Sequence, residues 1–355
     1  EGLVGGAVYG YGVWANGGWA GLGACDTFTD WSGIVFAATI KGERCTLAEA
    51  VAKAEAGDTI TLVEDVTLTE ELGLPAGIIF NGNGKQINGT IYACGDLTFA
   101  GHTKVTAFSA SYYDRVITIG EGACLEVTGG DRVSLAYGNT FNITGSVDNA
   151  KTADKANIQP SLIIPGGISI TGGNDAAMNV TNAYVKIGST TSKNSAANGE
   201  FTLNFTNSIA EFTNQLTFAE PTSGKNPTFN VNIKDSVLTT GTKLIFAAPN
   251  CNTVIDNSNV TMATYFRNSG SLEVKNGSVV TGSTIQFGEN GGNNGTINVD
   301  ASTLTITAGN TASAFDGKGI GEINATNDAT VSVDYYKGMT INVDPTSTFT
   351  GTEVQ

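Results

Sequence analysis

From about residue 67 onward, apolar and polar positions alternate in short runs. Leu125-Glu126-Val127-Thr128-Gly129, Met178-Asn179-Val180-Thr181-Asn182, Leu203-Asn204-Phe205-Thr206-Asn207, Val231-Asn232-Ile233-Lys234-Asp235, Leu272-Glu273-Val274-Lys275-Asn276 and Ile297-Asn298-Val299-Asp300-Ala301 share one pattern. Apolar side chains stand first and third, and in all but the last copy Gly, Asn or Asp closes the run. A period of two marks a strand with one buried face. Gly, Asn and Asp tolerate the left-handed backbone that a sharp corner needs. Val254-Ile255-Asp256-Asn257-Ser258 and Ile323-Asn324-Ala325-Thr326-Asn327 are weaker copies, the first with its Asn out of step. From Asn182 the closing positions follow at intervals of 25, 28, 22, 19, 25 and 26 residues, and the 53 residues between Gly129 and Asn182 read as two units.

Strands at such a period, without helices between them, point to a β-solenoid, whose coils pair with the next coil by parallel ladders. A β-sandwich also has short strands and turns, but it predicts no repeated register. At ~25 residues per coil, residues 67–355 supply about 11–12 coils, and a rod of roughly 50–55 Å at ~4.8 Å per coil. Leu125, Val127, Leu203, Phe205, Val231, Ile233, Leu272, Val274, Ile297 and Val299 are expected to point inward.

The stretch before this region, 25–66, reads differently. Thr46-Leu47-Ala48-Glu49 matches a capping box. Leu47, Ala50, Val51 and Ala54 then fall on one helical face, and Gly57 is placed to end the helix in the left-handed region. A helix over 46–56 and a strand over 59–63 are expected, forming a cap at the N-terminal end of the solenoid. Residues 1–24 hold nine Gly and four aromatic residues. Apolar side chains on a Gly-rich strand need a partner surface. Val4, Val8, Tyr9, Tyr11, Val13, Trp14 and Trp19 are therefore the candidate assembly residues, by addition of this strand to a neighbouring copy.

Cys45-Thr46-Leu47-Ala48-Glu49-Ala50-Val51, Ala56-Gly57-Asp58-Thr59-Ile60-Thr61-Leu62, Asp65-Val66-Thr67-Leu68 and Leu74-Pro75-Ala76-Gly77-Ile78-Ile79-Phe80-Asn81-Gly82-Asn83-Gly84-Lys85-Gln86-Ile87 together resemble the N-terminal cap of pectate-lyase-like right-handed parallel β-helix proteins, many of them bacterial surface proteins. The resemblance covers roughly 45–90 and implies an all-β, right-handed parallel β-helix with a short N-terminal capping helix. It implies little about activity, because this fold carries lyases, hydrolases, adhesins and phage tailspikes alike.

Composition narrows the functional classes. Lys plus Arg number 18 against 33 Asp plus Glu, a net charge of −15, which argues against nucleic acid and anionic membranes. His102 is the single His and there are four Arg, so triads and zinc sites have little raw material. No apolar run is long enough to cross a membrane as a helix. Gly is about 13% of residues, against an ordinary ~7%. Glu1 without a preceding Met fits a chain trimmed of a signal peptide or an arbitrary boundary. No two Cys form a CxxC pair. Cys25 with Cys45, and Cys94 with Cys124, are candidate disulfides in an oxidising compartment, and buried free thiols are the alternative. Eight N-x-S/T sequons, at Asn88, Asn142, Asn179, Asn204, Asn259, Asn276, Asn294 and Asn324, are read as a product of Asn- and Thr-rich composition.

For an active site of the lyase kind the candidates are His102, Lys104, Asp114, Arg115, Asp131 and Arg132. Asp114-Arg115 and Asp131-Arg132 stand 17 apart, compatible with neighbouring coils. Adjacent Asp-Arg pairs are ordinarily solvated and contribute little. Calcium-binding Gly-Gly-x-Gly-x-Asp arrays and phosphate loops are absent. The sequence therefore favours a non-enzymatic, secreted cell-surface protein without metal or cofactor: an adhesin, or the subunit of an extracellular filament or layer. Its expected partners are copies of itself in a head-to-tail polymer, or host or surface glycans. A polysaccharide lyase or carbohydrate-binding β-helix is the competing reading.

Overall fold

The computed structural model describes residues 35–110, 114–136, 138–171, 175–192, 199–218, 228–246, 250–268, 270–287, 295–307 and 321–354, with the backbone of Leu3–Val4, Ala7–Val8, Val13–Ala15 and Gly18–Ala20. Three long sheets make up the body. The first has 15 strands and runs from the hairpin Ala38–Ile40/Glu43–Cys45 to Met339–Val343. The second has 14 strands, those from Val66–Thr67 to Thr348–Glu353 with Leu72–Leu74 pairing off the main path. The third has seven, from Val133–Ala136 to Thr284–Phe287. From Val116 to Phe287 the chain visits them in rotation, and each strand pairs in parallel with its counterpart one coil on, which makes the body a parallel β-solenoid. In earlier coils one long strand serves two sides. Gln86–Ala93 shifts register between Ile87 and Thr90, where Gly89 takes φ +150°.

Alternation along each strand sends every second side chain inside. The ten residues expected to point inward are all 2% exposed or less, while Glu126 and Asn204 are half-buried and Glu273 is exposed. Burying a large aliphatic or aromatic side chain contributes about 1.5–3 kcal/mol, so repeated columns carry most of the stability. In the early coils Phe99 stands edge-on to both Phe80 and Phe108.

Two readings of the repeat are corrected. Leu125–Gly129 lies on the second sheet, whereas the other copies lie on the first. The interval before Asn182 is therefore not two units. One coil is lengthened by an insertion at 145–160, so that paired Asn142 and Asn179 are 37 residues apart. Asn257, in turn, is in step. It sits in the left-handed region with φ 46°, like Asn182, Asn207, Asp235, Asn276 and Asn327, and even Ala301 adopts φ 46° at this corner. The copy looked shifted because Thr253, 1% exposed, stands inward between Val231 and Leu272 where an aliphatic residue was expected.

Inside that corner runs a ladder of buried serines that the repeat pattern did not reveal. The Ser208, Ser236, Ser258 and Ser278 amides each donate to the serine hydroxyl of the next coil, at 3.0, 2.9, 3.0 and 3.1 Å, the last to Ser302. Outside, Asn179, Asn204 and Asn232 each donate their side-chain amide to the Asn one coil back, at 2.9, 2.8 and 2.8 Å.

The helix α1 spans Leu47–Lys53. Its capping box is formed, with the Glu49 amide donating to Thr46 Oγ1 at 3.2 Å and the Thr46 amide to Glu49 Oε2 at 3.0 Å. Leu47 and Ala50 are buried toward the first coils. The helix stops short of the expected Ala56, because Ala54 is extended (ψ 134°) and the Glu55 amide turns to Asp58 Oδ2 at 2.7 Å. Gly57, at φ +90°, serves that later turn and donates to the Gly77 carbonyl.

Among the described residues no disulfide forms: Cys45, Cys94, Cys124 and Cys251 are free thiols, the alternative to the candidate bridges. Cys94 is exposed and Cys124 is buried. Cys45 is buried on the terminal hairpin, and Cys25 lies outside the described residues. Burial pushes the Cys124 and Cys251 thiols up to about 12, which makes both poor nucleophiles.

Candidate functional site

The residues expected for lyase chemistry do not converge. Asp114-Arg115 precedes a first-sheet strand and Asp131-Arg132 precedes a third-sheet strand, so they occupy different corners of one coil instead of one face of neighbouring coils. Arg115 is half-buried, its backbone amide donates to Asn139 Oδ1 at 2.9 Å, and its Nε has no hydrogen-bond partner. His102 and Lys104 lie on the second sheet, where His102 Nε2 meets Glu126 Oε2 at 2.8 Å and Lys104 stands opposite Glu126 in the strand register. Among the described residues no group of three His, Cys, Asp or Glu side chains could hold a metal ion.

The two ends of the solenoid differ. At the N-terminal end the first sheet turns antiparallel, and its outermost strand is Glu43–Cys45. Arg44 pairs with Glu64 at 3.1 Å and Lys53 with Glu43 at 3.5 Å. A short, charged outer strand beside a helix is a protected edge. At the other end, Met339–Val343 and Thr348–Glu353 are the outermost strands of their sheets, and both remain parallel. Their inward residues are only half covered: Met339, Ile341 and Phe349 are of intermediate burial. Tyr336 stacks edge-on against Phe349 at 5.4 Å, and Tyr335, Val343 and Val354 are exposed. Among the described residues no further strand pairs with this apolar edge, which an added strand would satisfy.

Of the candidate assembly residues, Val4 pairs with Ala7 and Val8 with Leu3 in one short antiparallel ribbon, while Val13 pairs with Ala20 and Trp14 with Trp19 in a second. Tyr9 and Tyr11 lie outside the described residues. Isolated two-stranded ribbons of this length are marginal in water.

A third feature went unseen in the sequence. The insertion 145–160 crosses the outer face of the second sheet as a strap, packing Val147, Ala150, Ala153 and Ile158 against Tyr184 and Ile209. Lys155 pairs with Glu211 at 2.7 Å, and Tyr184 donates to the same carboxylate at 2.5 Å. Burial pushes the Glu211 carboxyl up, but the hydrogen bonds from Lys155 and Tyr184 outweigh it and hold the group below its ordinary range. Burial, and then Glu211, push the Tyr184 hydroxyl well above its ordinary value. The signal in the sequence was the one overlong repeat interval.

The sequons gain a structural setting. Asn142, Asn179, Asn204 and Asn324 are tied into amide ladders, whereas Asn276 is exposed at its corner. Comparison of the chain with protein-family models, curated proteins and solved structures finds no match.

Proposed function

We propose that the chain is a structural subunit of the cell surface, a right-handed parallel β-helix capped by α1, whose N-terminal segment adds as a strand to the C-terminal end of the next copy. The observation that carries this reading is the difference between the ends. One is closed by a charged antiparallel hairpin, and the other presents parallel edges with half-covered Met339, Ile341 and Phe349. Head-to-tail addition that does not close gives a filament. The scattering of Arg115, Arg132 and His102, which stand at first-sheet, third-sheet and second-sheet strands, weighs against the lyase reading.

The test is deletion of residues 1–20, followed by electron microscopy and size-exclusion chromatography. The shortened chain should remain folded and lose polymers. A deletion variant that polymerises as well as the full chain refutes the reading.

A further inference from the structure

We propose that the outer face of the second sheet, from Val237 to Thr350, is a surface for lateral pairing with a second copy of this chain. It goes beyond the filament reading and does not depend on how the N-terminal segment assembles. Thr239, Thr261, Thr281, Thr305, Ser332 and Thr350 stack as one outward column in unbroken register. A second column, two residues earlier in each strand from Val237 to Thr348, adds two Val, one Asn and three Thr. No charged side chain interrupts either column over six coils, in a chain of net charge −15. None of the hydroxyls in these columns is engaged by another group of the described residues. The first sheet is the opposite case, because its outward Asn side chains partner one another.

The same columns change character toward the N-terminal end. There they hold Lys104, Glu126, Lys186 and Glu211, and the strap lies over Tyr184 and Ile209. The strap shows that this face takes a covering of small apolar side chains, and the open half continues the surface on which it sits. Charge selects the occupant of that open half. The outer columns of the first sheet carry charged side chains, Glu200, Glu273 and Glu322 beside Lys234 and Lys275, so two copies meeting there would have to desolvate charges. The Thr-rich face can meet its own copy without any charge contact. A second copy also has the same ~4.8 Å coil spacing, so hydroxyl and methyl groups mesh coil for coil across a two-fold axis. The patch measures roughly 30 by 13 Å, on the order of 400 Å² per partner, against about 800 Å² in a standard stable interface. Single rods therefore pair weakly, and pairing strengthens where many copies are joined end to end.

Negative-stain images of the full chain, with sedimentation at rising concentration, test this. Length reads end-to-end addition and width reads the lateral face, so the two ideas fail separately. Rods of double width are expected from the parent at high concentration, insensitive to salt. Thr281→Lys with Thr305→Lys, at outward positions, should keep the parent's circular dichroism and weaken pairing at least tenfold. Thr281→Asp with Thr305→Asp should do the same, and mixing the two variants at low salt should restore paired rods. Parent rods of single width at every concentration, lysine-variant rods that still pair, or a mixture that stays single would each overturn the proposal. The last outcome would assign the face to another occupant, such as the N-terminal segment, whose residues 2–24 carry no charged side chain, or a neutral glycan.

Discussion

Ser258→Ala isolates one rung of the buried serine ladder. Ser258 Oγ accepts the Ser236 amide at 2.9 Å and donates to the Asp256 carbonyl at 2.7 Å, and both serines are 1% exposed or less. Alanine keeps the Cβ and removes only the hydroxyl. The Asp256 carbonyl keeps a partner, because the Asp235 amide also donates to it at 3.0 Å. The Ser236 amide loses its acceptor in a place water does not reach. A buried unsatisfied donor costs about 1–3 kcal/mol, so a loss of about 2 kcal/mol is expected. Each coil of a solenoid contacts only its neighbours, so the damage should stay near Ser236 and Ser258. Urea unfolding gives the global cost, and amide hydrogen exchange at Ser236 gives the local one. A cost under about 0.5 kcal/mol with Ser236 protection unchanged would show that the ladder is incidental to stability, contrary to the desolvation argument.

Val274→Asp should be far more damaging, by several kcal/mol, because Val274 is 0% exposed and an unpaired carboxylate would enter the coil; a soluble variant with a parent-like melting curve would contradict the inward assignment. Asn257→Ala should cost about 1 kcal/mol from left-handed strain, and Asn257→Gly distinctly less, since Asn257 holds φ 46°; chemical denaturation compares the pair. The strap should respond to pH at both ends of the scale. Glu211 is depressed from 4.5, so its contribution is present above that value and fades as pH falls through the lower folded value. Tyr184 is raised from 10.0, so its contribution is present below that value and is lost as pH rises through the higher folded one. Hydrogen-exchange protection of 145–160, corrected for the intrinsic pH dependence of amide exchange, should accordingly be highest between these limits, and a flat protection profile would mean the cluster does not hold the strap.

The local pattern of the chain was enough to place the inward residues, the left-handed corners and the capping box. Side-chain alternation, tolerance of positive φ and the reach of Glu49 back to Thr46 are properties of a few consecutive residues. Other features arise only when coils stack. Nothing around Leu125 tells which sheet its strand joins, because that depends on the length of every loop before it. Thr253 reads as polar and yet lies inside, since its neighbours Val231 and Leu272 are 22 and 19 residues away. The serine ladder, the strap over Tyr184 and the uncharged face from Val237 to Thr350 are likewise made by residues one coil or more apart. Their partners are chosen by parallel register between coils, and single-strand periodicity does not carry that register.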